Sequence, residues 1–332
     1  MNNNVRTLKQ RLLFSLPLSP LFLYILAAMF ARIATGGSAV AIVLLARDYG
    51  ADGTMVGILA ACLTAPHVLG PLYGRWLDEV RDTRIILAAT SVSFAAFFQL
   101  AILGFNLNLH WLTMTSLLVC GVCSSFMMGG LSTQLTHLVD EDVQTRRRAQ
   151  SMDTSTYGFG LTVGPLIVAL FGSLYPLQTT VALLMSLPVV AGVIILCLPR
   201  LRNTHERGHE EALGFRDVIN IMARSSALKR TFAMTAAGSF AVAALPVIAV
   251  YLSEAWQHSR EDGAFMVTAY GVGCLCGAFL LMLRPMKADA VVLLRNVGLL
   301  LLVTLILVAA SASFMMGMLT YWLCGVVNSI FF

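Results

Sequence analysis

The chain has 332 residues, of which 58% are hydrophobic and only 12% charged, with a mean hydropathy of +0.80 and a formal net charge of +5. A soluble domain needs a polar shell that this composition does not provide, so water is excluded as its solvent. Nucleic-acid binding is excluded as well, because the basic residues are spread among short loops instead of forming one basic face.

A helix needs roughly 20 mostly apolar residues to cross the hydrocarbon layer. Ten such runs follow in order, at 20–46, 54–77, 84–106, 109–138, 151–173, 176–199, 231–255, 263–284, 290–311 and 314–332. They predict an all-α polytopic bundle embedded in a lipid bilayer. All basic residues except Arg32, Arg47 and Arg260 fall before the first run, in alternate loops, or in the polar stretch 200–230. That bias places those loops and both termini in the cytoplasm. The compact chain lacks eukaryotic sorting segments and reads as a bacterial inner-membrane protein.

The first run is too long for a signal peptide and carries Arg32 about 12 residues in, roughly 18 Å deep at 1.5 Å per residue. A mid-membrane Arg costs about 2.5 to 3.5 kcal/mol on insertion scales, so it should face a wet cavity, a partner or a substrate. In the second run His67 follows Pro66. Its ring can relay protons or donate to a carbonyl freed by the distorted helix.

The loop after the second run reads Gly74-Arg75-Trp76-Leu77-Asp78-Glu79-Val80-Arg81-Asp82-Thr83-Arg84. Gly70 and Gly74 permit close helix packing, and Asp78 with Arg81 or Arg84 can form charge-assisted bonds across a helix contact. The alternative is a solvated turn. In the fourth run Cys120 and Cys123 lack a second pair or a His cluster, so no metal site and no disulfide is expected.

The fifth run opens with Asp153, readable as a helix cap or as a buried partner of Arg32 able to carry a proton. It continues through Tyr157 to Gly160-Leu161-Thr162-Val163-Gly164-Pro165, where two glycines allow tight packing and Pro165 removes a helix hydrogen bond. The linker 200–230 divides the chain into a six-span half (1–199) and a four-span part (231–332). Phe215, Val218, Ile219 and Met222 mark a short amphipathic surface helix within it. Glu254 lies near the outer end of the seventh run. The eighth repeats the small-residue spacing at Gly273 and Gly277. Gln134, Tyr157 and Asn328 offer neutral polar groups that can line a cavity.

The loop at 74–84 resembles the short-loop motif of the major facilitator superfamily: Gly74 and Asp78 match, while Glu79, Arg81 and Asp82 depart from its usual Arg, Gly and basic residue. Gly160, Gly164 and Pro165 resemble the core of the motif typical of the superfamily's drug/proton antiporters, although Val168-Ala169 stands where a Gly pair is usual. The resemblance implies two helical halves rocking about a central site. Gly74, Asp78, Arg81 and Arg84 would then form a cytoplasmic gate, and Gly160, Gly164, Pro165, Gly273 and Gly277 a sliding seam between the fifth and eighth helices. It also implies twelve helices, so a chain ending at Ile330-Phe331-Phe332 reads as truncated in the tenth span, or else as a divergent ten-span carrier.

No phosphate-cradling loop and no H-E-x-x-H occurs, so no enzyme activity and no cofactor is expected. The expected function is secondary active transport of a small organic solute by alternating access, coupled to protons and directed outward. The alternatives are uptake of an anionic metabolite paired with Arg32, or a truncated membrane protein that does not transport. Partners are the substrate, protons and the bilayer.

Overall fold

The computed structural model describes residues 19–80, 82–139, 142–199, 224–283 and 290–331. Every regular element there is helical. In chain order they are α1 (Pro20–Asp48), α2 (Gly53–Thr64), α3 (Gly70–Glu79), α4 (Thr83–Asn106), α5 (His110–Ser125), α6 (Leu131–Leu138) and α7 (Val143–Gly172). These are followed by α8 (Leu177–Leu196), α9 (Ser226–Ala243), α10 (Leu245–Ala255), α11 (Asp262–Leu283), α12 (Ala290–Ala309) and α13 (Phe314–Phe331). Among the described residues nine stretches are long and apolar enough to cross a bilayer, while the expected second span is the shorter stretch Gly53–Leu69, continued by α3.

The polar residues explain where helices begin. Ser19 caps α1, its hydroxyl accepting from Phe22 N at 3.2 Å, with Pro20 in the first turn where a missing N–H leaves no helix bond unmade. Asp52, Asp82, Asp142 and Ser225 cap α2, α4, α7 and α9 in the same manner. The fifth span therefore begins at Val143, well before the expected 151. Hydropathy marks only the part inside the membrane, whereas the helix extends past it through Arg146, Arg147 and Arg148.

Proline and glycine explain the interruptions. A 3₁₀ turn at Ala65–Leu69 contains Pro66 and splits the second span, and the seventh breaks at Ala244 ahead of Pro246. A π-helical turn, Phe126–Gly130, inserts into the fourth span between α5 and α6.

Two packing groups result. In the first, α1 lies against α7 and α8, and α4 against α5 and α8; in the second, α13 lies against α11 and α12. The groups meet where α7 touches α11 and α1 touches α10. A Cβ on Gly160 would fall 2.5 Å from the Arg32 carbonyl oxygen, and one on Gly164 would fall 2.4 Å from Gly37 N, so α1 and α7 touch backbone to backbone. Gly273 and Gly277 likewise face the α13 backbone at Trp322 and Val326.

The seam expected between the fifth and eighth helices is therefore built from other residues. Gly160 and Gly164 seat α1, and Gly273 and Gly277 seat α13. The α7–α11 contact is made where Gly271 meets the Leu161 carbonyl, its Cβ position 2.3 Å from that oxygen, and where Gly158 meets Leu275. Leu161 points about 100° away from Gly160 on the helix, so the carbonyl that meets α11 lies to one side of the stripe that seats α1. Pro165 contributes indirectly: lacking an N–H, it leaves the Leu161 carbonyl without its helical donor, and the Gly271 backbone covers that oxygen. The linker 200–223 and Arg81 lie outside the described residues.

Candidate functional site

Arg32 is 1% exposed, and its side-chain partners come from two other spans. Its Nη1 donates to Asp153 Oδ1 and to the Asp153 carbonyl, each at 2.7 Å, and to the Thr156 hydroxyl. Its Nη2 donates to Ser132 Oγ at 2.7 Å, and the guanidinium lies 3.5 Å from the Tyr157 ring centroid. Only Nε lacks an acceptor among the described residues. Such a pair is held by hydrogen bonds as much as by charge, as a buried ion pair must be.

Asp153 is equally engaged. Its Oδ1 also accepts from the Tyr24 hydroxyl at 2.7 Å and its Oδ2 from Ser132 Oγ at 2.9 Å. With α7 starting at Val143 and capped by Asp142, Asp153 is not a helix cap; that alternative is corrected. Tyr157 donates to the Met128 carbonyl at 3.0 Å, in the π-helical turn that brings Ser132 toward α7. Tyr24 and Ser132 escaped the sequence reading because neutral polar side chains at helical positions give no sign of which way they face.

Next to Asp153 lies a cavity of about 380 Å³, bounded by Ser132, Arg146, Gln150 and Thr154 among others. Asp153 thus stands between a closed ionic cluster and a polar space at the end of the bundle where Arg146, Arg147 and Arg148 lie.

The remaining candidates are dispersed. His67 Nδ1 donates to the Thr64 carbonyl at 3.0 Å and Nε2 lies 3.1 Å from Ser124 Oγ, so the ring ties the break in the second span to α5. Gln134 is buried and accepts from Thr83 Oγ1 at 2.7 Å, joining α6 to α4. Asn328 faces Cys274 across the α11–α13 contact. None of the three touches the Arg32 cluster.

The gate residues also sit differently from the expectation. Among the described residues nothing lies within 4 Å of a Cβ placed on Gly74. Arg84 pairs with Asp82, Nη2 to Oδ2 at 2.8 Å, and donates to the Leu198 carbonyl, which ties α4 to the end of α8 within one packing group. Asp82, two residues away, thus holds the Arg84 guanidinium, while the side chain of Asp78, the other member of the expected latch, lies outside the described residues. Asp78 is the penultimate residue of α3.

At the opposite end the two packing groups are joined by charge. Glu254 Oε2 accepts from Arg47 Nη2 at 2.8 Å and Oε1 from Arg260 Nε at 2.5 Å, while Arg260 Nη1 reaches Asp48 Oδ1 at 3.4 Å and the Arg47 carbonyl at 3.1 Å. The signal for this network was present in the sequence: Arg47 and Arg260 are the two basic residues assigned to that side, each beside an acid.

Among the described residues no cluster of His, Cys, Asp or Glu can hold a metal. No curated protein matches the chain in sequence. Solved structures match its fold. A mutant of the nucleoside transporter NupG superposes with a TM-score of 0.73 at 13% identity, covering 94% of this chain and 80% of that one. A POT family transporter in complex with 5-aminolevulinic acid gives 0.73 at 13%, covering 94% and 81%. A D-xylose-proton symporter gives 0.69 at 12%, covering 93% and 80%. The family model for the Major Facilitator Superfamily matches residues 24–332, so the chain belongs to that superfamily: it is an integral membrane protein built for secondary transport by alternating access, and not an enzyme.

Proposed function

We propose that this protein exports a small organic solute in exchange for protons, and that the Arg32–Asp153 pair couples the two movements. The observation that carries this reading is the position of Asp153. Both carboxylate oxygens accept hydrogen bonds, Oδ1 from Arg32 and Tyr24 and Oδ2 from Ser132, and the residue also borders the cavity of about 380 Å³. By the distribution of basic loops this is the cytoplasmic end, in a bacterial inner membrane.

The chemistry follows from charge. A proton on Asp153 leaves the buried Arg32 guanidinium without its counterion. In a low dielectric that state is costly until α1 and α7 shift or an electron-rich substrate group takes the place of the carboxylate. Release of the proton into the cytoplasmic cavity restores the pair and resets the cycle. Tyr157 stacked on the guanidinium keeps it in place during the exchange. A second reading is uptake of an anionic metabolite; it is favoured by the unused Arg32 Nε, a donor already desolvated and available to a carboxylate or phosphate.

The test is accumulation of a panel of dyes and toxic compounds in cells expressing the chain, with and without collapse of the proton gradient. Lower accumulation that vanishes on collapse, and is lost in Asp153→Asn, is the expected outcome. Gradient-dependent efflux that persists unchanged in Asp153→Asn would remove that residue from the coupling step, and accumulation of an organic anion above background would favour uptake.

A further inference from the structure

The charges around the cavity beside Asp153 do not balance. Asp153 is neutralised by Arg32 at 2.7 Å. Arg146, two turns earlier on α7, borders the same cavity, and its Nε is buried without an acceptor. Among the described residues no acid pairs with its guanidinium. Asp142, one turn before it, turns instead to the helix end, its Oδ2 accepting from Thr145 N at 3.0 Å and from Thr145 Oγ1 at 2.8 Å. The cavity therefore carries one uncompensated positive charge, part of it already desolvated. A buried donor is costly to leave without an acceptor.

The cavity also faces inward. At about 100° per residue, Arg146, Gln150, Asp153 and Thr154 fall on one face of α7, and the exposed apolar residues Met152, Phe159 and Leu170 on the other. The lining face lies between Gly160, which meets α1, and Gly158, which meets Leu275 of α11. It is thus turned toward the space between the packing groups and away from lipid. Leu135, Val139 and Ala149 add an apolar wall, and the volume of about 380 Å³ is within the range of small-molecule sites.

We propose that this cavity binds a small organic anion, whose carboxylate or phosphate accepts from Arg146 while its apolar body lies against Leu135, Val139 and Ala149. A guanidinium suits either group, because its fork can donate to two oxygens at once. The assignment names the solute class for the export proposed above and rests on that reading for the direction of movement. Held at Arg146, the anion lies beside Asp153, and a proton on that carboxylate would free the Arg32 guanidinium to take the same group.

Binding is tested without a proton gradient, so its failure leaves the coupling role of Asp153 standing. Failure of gradient-linked efflux would likewise leave the binding result intact. Thr154→Cys places a thiol on the lining face; the Thr154 hydroxyl it replaces donates to the Gln150 carbonyl at 2.9 Å within the helix. The purified protein in phosphatidylcholine nanodiscs is labelled with N-ethylmaleimide, and the parent chain with its native cysteines gives the background. At equal ionic strength, benzoate and phenyl phosphate should each slow labelling at least fivefold, and benzamide should not. Arg146→Gln should abolish the protection, and Arg146→Lys should retain part of it. Equal protection by benzamide would overturn the proposal, as would no protection by either anion, or protection undiminished in Arg146→Gln. Slowing by phosphatidylglycerol in the nanodisc, with no soluble anion added, would give the site to a lipid headgroup and overturn its assignment to a solute.

Discussion

At the scale of single residues, Arg32 and Asp153 form a buried ion pair whose members depend on one another. Removing one member of a buried pair leaves the other charge uncompensated, at a cost of about 3–5 kcal/mol, whereas removing both is far less damaging. Arg32→Gln and Asp153→Asn are therefore each expected to lower the unfolding temperature of the purified protein, and the double variant to recover most of the loss. Additive losses in that double-mutant cycle would mean that the two groups are stabilised independently. Arg32→Lys should behave like a partial deletion, because an ammonium cannot serve Asp153 and Ser132 as a fork and stack on Tyr157 as well. Depth made Arg32 visible in the sequence, since an Arg 12 residues into an apolar run demands a partner. Asp153 was readable only as one of two possibilities, and the position of the Asp142 cap decided between them. Tyr24 and Ser132 had no comparable signature.

At the scale of helices, apolar runs gave the order of spans and nearly their count, nine of the ten being long and apolar enough among the described residues, because hydropathy responds directly to the bilayer. Their ends and breaks follow local chemistry: caps, prolines and one π-helical turn. Small-residue spacing is a weaker guide. It announced that α7 and α11 approach something closely, but left open which neighbour each glycine faces, and the stripes proved to seat α1 and α13. A direct contrast tests this assignment. A Cβ on Gly160 meets the Arg32 carbonyl at 2.5 Å, so Gly160→Ala must push α1 off α7 and draw Arg32 away from Asp153. A stability loss of about 1–3 kcal/mol is expected, as for other overpacked contacts, together with loss of coupled transport. Gly74→Ala meets nothing within 4 Å among the described residues and, inside α3, should not destabilise and should gain up to about 1 kcal/mol from the better helix propensity of Ala. Equal effects of the two substitutions on thermal unfolding would contradict the packing described.

At the scale of the whole molecule, relatives at 12–13% identity share the fold because what they share is a pattern of apolar spans and small-residue contacts, which many sequences satisfy. Alternating access asks more of that pattern. Each half must be rigid and the contact between them must be able to slide, so substitutions in the two kinds of contact should fail differently. Gly271 and Gly273 lie two residues apart on α11 and separate these cases. A Cβ on Gly273 would sit 2.1 Å from the Trp322 carbonyl oxygen, inside the α11–α13 contact. Gly273→Ala should therefore disrupt one half internally and reduce the amount of protein in the membrane. A Cβ on Gly271 would sit 2.3 Å from the Leu161 carbonyl oxygen, between the halves. Gly271→Ala should leave each half folded and the membrane level near that of the parent, while transport falls at least tenfold because the backbone contact at the seam is lost. Immunoblots of membranes and flux measured on the same cells distinguish the outcomes. If Gly271→Ala lowered the membrane level as much as Gly273→Ala does, the α7–α11 contact would be part of the folding core and could not serve as the surface on which the halves move.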